Sequence, residues 1–79
     1  MESVSKIKGK IKYAKTVLAK AEEALPIAQA KFESNPTLLN EFDVKDIKLT
    51  ISNQKVKITL LEKDLEIAQQ QEAQGFQPE

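Results

Sequence analysis

Apolar residues recur at alternating spacings of three and four through the first part of the chain. This spacing places the apolar side chains on one face of an α-helix, as in the seam of a coiled coil. It predicts a first helix over about residues 3–33. All nine seam positions are apolar, and alanine takes every second position from Ala14 onward, which lets another helix approach closely. The nine are Val4, Ile7, Ile11, Ala14, Leu18, Ala21, Leu25, Ala28 and Phe32.

Pro26 lies inside this pattern. A proline there removes the backbone hydrogen bond to the carbonyl of Glu22. Because Ala28 and Phe32 continue the seam beyond it, we expect a helix kinked near Pro26 rather than one that ends there.

The run Ser34-Asn35-Pro36-Thr37 interrupts the helical pattern. Asn35 can cap a new helix with Pro36 at its first position, and Asp43 offers a second cap. The sequence therefore predicts a connection over residues 34–43 that contains a short helical turn.

A second seam predicts a second helix over about residues 44–73, followed by a polar tail over 74–79. Seven of its eight positions are apolar: Val44, Ile47, Ile51, Gln54, Ile58, Leu61, Leu65 and Ala68. Residues 47–51 and 56–60 also alternate as strands do, with Asn53-Gln54 between them. The absence of glycine at that turn favours the helix, but a β-hairpin over 47–60 stays open as the alternative.

If the second segment is helical, it carries another apolar stripe roughly opposite its seam, made of Leu49, Val56, Leu60 and Ile67. A helix that is apolar on two faces needs a partner on each. Leu38, Leu39 and Phe42, in the predicted connection, are further candidates for contact with a protein partner.

The charged residues predict how the two helices are oriented. Residues 1–20 hold six lysines and one glutamate, whereas residues 58–79 hold one lysine and five acidic residues. Folding the chain back on itself brings these regions together. We therefore expect one domain over 1–79, an all-α antiparallel two-helix hairpin with a coiled-coil-like, alanine-rich seam.

The composition excludes several kinds of catalytic and metal-binding site. The 79 residues include no Cys, His, Arg or Trp, and the formal charge is zero. Zinc sites built on Cys or His and nucleophiles activated by His are therefore excluded. We expect no enzyme activity, no cofactor, no metal site and no membrane span, and we expect a cytoplasmic protein. Many lysines, isoleucines and asparagines without arginine suggest an AT-rich genome. For a short chain of this kind, we expect an origin in a phage or another mobile element.

These features predict a small non-enzymatic protein–protein interaction module: an adaptor, an inhibitor or an assembly component. We expect a homodimer that forms a four-helix bundle, or a larger protein partner. The alternative is weak, salt-sensitive nucleic-acid binding by a helical-bundle dimer through Lys6, Lys8, Lys10 and Lys12, the lysine-rich end of the first helix.

Overall fold

The protein folds as two long helices packed against each other in an antiparallel hairpin. The computed structural model describes residues 2–75. Helix α1 spans Val4–Ser34 and helix α2 spans Leu38–Ala73. The hairpin is 58 Å long and 15 Å across, measured on Cα atoms. The predicted all-α hairpin is confirmed, and the β-hairpin alternative for residues 47–60 is wrong because that segment lies inside α2.

Helix α1 begins where the sequence places a good cap. The hydroxyl of Ser3 accepts a hydrogen bond from the backbone N–H of Lys6 at 3.2 Å. The helix then runs through Pro26 to Ser34. The expectation that Pro26 does not end the helix is confirmed, and a bend there stays a prediction.

The connection is shorter than expected. Helix α2 begins at Leu38 rather than near 44, and its N-cap is Thr37, whose hydroxyl accepts from the Asn40 backbone N–H at 3.1 Å. Asn35 instead closes α1, where its N–H donates to the Lys31 carbonyl at 3.0 Å. The cap roles predicted for Asn35 and Asp43 are therefore wrong. The expected short helical turn exists as the first turn of α2.

Both predicted seams form the contact between the helices. All nine seam positions of α1 and all eight of α2 are buried or half-buried. At the open end of the hairpin, Ile7, Ile11 and Ala68 form a buried cluster, with Val4, Leu61 and Leu65 packed against it. The backbone N–H of Val4 donates to the carboxylate of Glu72 at 3.1 Å, so the first turn of α1 meets the last turn of α2.

Asn40 forms a hydrogen bond that joins the two helices at the closed end of the hairpin. Its side chain is only 6% exposed, and its amide nitrogen donates to the Asn35 carbonyl at 2.8 Å. The same carbonyl also accepts from the Thr37 backbone N–H at 2.8 Å. One side chain of α2 thus shares a carbonyl at the end of α1 with the connection, which ties the two helix ends together.

We expect Asn40→Ala to lower the free energy of unfolding by about 1–3 kcal/mol, because it removes a buried side chain together with its hydrogen bond to the Asn35 carbonyl. Urea denaturation followed by circular dichroism measures this. The control Gln69→Ala removes an exposed amide from the same helix and should change stability little. Equal effects of the two substitutions would contradict the role given to Asn40.

Gln54 is the polar exception in the α2 seam. Its side-chain oxygen is buried and has no hydrogen-bond partner within residues 2–75. A buried acceptor without a partner costs free energy in the folded state.

Gln54→Leu is therefore expected to raise the free energy of unfolding by about 1 kcal/mol, since it replaces an unsatisfied amide with an apolar side chain. The matched control is Gln69→Leu at an exposed position, which should gain nothing comparable. Thermal unfolding of the two variants decides between them, and a less stable Gln54→Leu variant would rule out the account.

Candidate protein-interaction face

The apolar stripe predicted on the second helix is exposed. Leu49, Val56, Leu60 and Ile67 are between 45% and 59% exposed, while the α2 seam on the other side is buried or half-buried. At 100° per residue, these four side chains fall within about 40° of arc. Helix α1 therefore covers one face of α2 and leaves an apolar line on the other.

The early start of α2 extends this line. Leu38 and Phe42 belong to the first turns of the same helix, within about 20° of the line through Leu49. Leu39 lies beside them, about 80° away. Leu38, Leu39 and Phe42 are 62–84% exposed. Sequence reasoning had placed these three residues in a separate connection, whereas the fold joins them to the stripe.

We call the combined surface the outer face of α2. It comprises Leu38, Leu39, Phe42, Leu49, Val56, Leu60 and Ile67, and it extends about 44 Å along the helix. Between Val56 and Leu60 it holds a shallow, mostly apolar depression of about 240 Å³, bordered by Lys55 and Thr59. A depression of this kind can receive one side chain from a facing helix.

An open groove of about 260 Å³ lies between the helices near the connection. It forms where Ala24 and Ala28 of α1 leave space beside Asn40 and Asp43 of α2. Its lining includes Lys31, Asp43 and Asp46 but no hydroxyl or thiol nucleophile.

The four lysines proposed for nucleic-acid contact are exposed but divided. Lys6 and Lys10 lie on one flank of the buried α1 seam, and Lys8 and Lys12 lie on the other. Lys10 also forms an ion pair with Glu2. The hydrogen bond from the Lys10 ammonium group holds the pKa of the Glu2 carboxyl below its ordinary value. The arrangement does not gather the lysines into one basic stripe, and nucleic-acid binding stays a prediction.

In the described part of the chain, no direct ion pair joins the two helices across their interface. Within residues 2–75 the ion pairs are Glu2 with Lys10, and Glu41 with Lys45 at 3.0 Å on one turn of α2. Neither joins α1 to α2. The apolar seams therefore supply the contact between the helices, and the effect of the charge pattern on their orientation stays a prediction.

Sequence reasoning missed two exposed apolar side chains, Tyr13 and Ile27, both on α1. Their positions outside the α1 seam could have indicated that they are exposed. Tyr13 and Ile27 are 14 residues apart, and they do not form a stripe comparable to the outer face of α2.

Over residues 2–75, neither helix is long and apolar enough to cross a membrane. Residues 2–75 also bring together no group of three or more acidic side chains that could hold a metal ion.

Comparisons with known proteins add no family. No protein-family model, curated protein or solved structure matches the chain.

The substitutions Ile58→Ala and Leu60→Ala test the division of α2 into two faces. Ile58 is 8% exposed and Leu60 is 57% exposed, although they are two residues apart. We expect Ile58→Ala to cost about 2–5 kcal/mol of unfolding free energy, and Leu60→Ala less than about 1 kcal/mol. Denaturation at low protein concentration, where self-association contributes least, measures both. Similar losses would mean that Leu60 is packed within the hairpin.

Proposed function

We propose that the protein is a non-enzymatic protein–protein interaction module whose partner binds the outer face of α2. The observation that carries this proposal is the exposure of an apolar line on a helix whose opposite face α1 already covers. Contiguous exposed apolar surfaces of this kind are typical of sites where another protein binds.

The composition of the outer face supports the same role. Leucine, isoleucine, valine and phenylalanine supply its apolar positions, and they are interrupted by Lys45, Asn53 and Lys63. Apolar anchors with polar residues among them allow a contact that is both adhesive and selective.

A non-enzymatic role is supported by the shape of the molecule. Catalysis needs functional groups converging in a concave site. The groove at the closed end is open, and the depression at Val56 and Leu60 is lined mainly by apolar groups. The groove lining contains no hydroxyl or thiol, and the Thr59 hydroxyl at the depression donates to the Lys55 backbone carbonyl of its own helix.

Site-specific photo-crosslinking tests the proposal. A benzophenone amino acid is placed at Val56 on the outer face or, as the matched control, at exposed Glu23 on α1. In cells that produce the protein, we expect a discrete protein adduct from position 56 and none from position 23. Adding Leu60→Lys should abolish the adduct, because a lysine there places a charge in an apolar contact.

The mass of the adduct distinguishes the partners. An adduct of twice 8.9 kDa means a second copy of the chain, and any other discrete mass means a different protein. Absence of an adduct from position 56, or an equal adduct pattern from position 23, would contradict the proposal.

A further inference from the structure

The outer face of α2 has a regular order of apolar and polar positions. A row of positions with spacings of three and four runs along it, beginning with Leu39 at the edge of the face: Leu39, Phe42, Asp46, Leu49, Asn53, Val56, Leu60, Lys63 and Ile67. This is a second coiled-coil seam on the same helix, turned away from α1. Its charged members are one acid near the start and one lysine near the end.

We propose that the outer face of α2 binds the same face of a second copy, antiparallel, about a two-fold axis that passes between Gln54 and Lys55. This inference rests on the proposed function and names the partner. An interface with such an axis is self-complementary, so every pairing occurs twice.

The register follows from the order of residues along the seam. With the axis at this place, Leu49 faces the partner's Leu60, and Phe42 faces the partner's Ile67. Near the centre, Asn53 faces the partner's Val56. In heptad notation, every layer then pairs an a position of one helix with a d position of the other, which is the geometry of antiparallel coiled coils.

Charge complementarity selects this arrangement. Asp46 faces the partner's Lys63, and the two-fold axis repeats the pair at the other end. A parallel pairing would instead place Asp46 against the partner's Asp46, and Lys63 against the partner's Lys63. Like charges at such positions are strongly unfavourable in an interface. Sliding the antiparallel register by seven residues toward the C-terminus keeps apolar layers but places Asp46 against the partner's Gln70.

Charged residues beside the seam both favour and oppose this dimer. Lys45 lies near the partner's Glu66, which is favourable, whereas Asp43 lies near the partner's Asp64, which is not. Together with Asn53 inside the seam, this opposition lowers affinity while the polar positions fix the register. We therefore expect a dimer that dissociates on dilution.

This geometry also fixes the order of the four helices. Because the outer face lies roughly opposite the α1 contact, the two α2 helices occupy the centre and the two α1 helices lie outside. The assembly is then a four-helix layer, in which the groove beside Ala24 and Ala28 is left uncovered by the α2–α2 contact.

Cysteine pairs test the register directly, and the native chain contains no cysteine that could interfere. The variant carrying Leu49→Cys and Leu60→Cys should form a covalent dimer in a glutathione redox buffer, because these positions face each other. The matched control carries Leu49→Cys and Ile67→Cys, the pair that the shifted antiparallel register would join. Leu49→Cys alone reports a parallel pairing.

We expect the first variant to cross-link at least about tenfold more than the other two. Preferential cross-linking of Leu49→Cys with Ile67→Cys, or of Leu49→Cys alone, would overturn the proposed register. Equal cross-linking of all three would mean random collision and would also overturn it.

A charge exchange gives a second, independent readout. Asp46→Lys alone should weaken dimerisation about tenfold, as should Lys63→Asp alone, whereas the double variant should recover most of the loss. Sedimentation equilibrium over a range of concentrations measures the dimer dissociation constant of each variant. If the effects of the two substitutions simply add, Asp46 and Lys63 do not meet.

The two proposals fail in different ways. If sedimentation shows the wild-type chain as a monomer at every concentration while position 56 still forms an adduct with another protein, self-pairing is wrong and the proposed function stands. If position 56 forms no adduct with any protein and the chain stays monomeric, both are wrong.

Discussion

The structure depends on the burial of two apolar seams against each other. Each helix has an apolar face that it cannot bury by itself, and most of the stability of a helix in a protein comes from packing such a face. In this chain the packing residues are mostly aliphatic, with alanine at every second position along most of α1. Close approach of the two helices is therefore the condition under which every other feature forms.

That contact also creates the candidate site, because a second helix can cover only one face of α2. The opposite face keeps its leucines, isoleucine, valine and phenylalanine exposed. One face of α2 thus stabilises the hairpin, and the opposite face of the same helix is the candidate interaction surface. Polar residues placed within the exposed line limit which surfaces can pair with it, and this is how an apolar contact becomes selective.

The closed end of the hairpin determines how long the outer face of α2 is. Thr37 caps α2, and Asn40 reaches back to the Asn35 carbonyl, so the chain reverses within three residues between the helices. The short reversal lets α2 start early enough to include Leu38 and Phe42. The outer face is lengthened by about three turns relative to the stripe that begins at Leu49.

Only the tertiary structure decided that residues 47–60 belong to a helix and not to a β-hairpin, since both periods fit them. The sequence by itself determined the first helix and its seam, and it favoured the second seam, the outward stripe and the antiparallel orientation. Each of these rests on a periodic pattern extending over many residues, and such patterns are robust to local detail. Only the tertiary structure decided which of Asn35, Thr37 and Asp43 caps α2. All three side chains can cap a helix, and the choice depends on where the returning chain places the carbonyl that Asn40 binds. The same holds for the ion pairs, because pairing of long lysine side chains depends on distances of a few ångströms that a charge pattern does not specify.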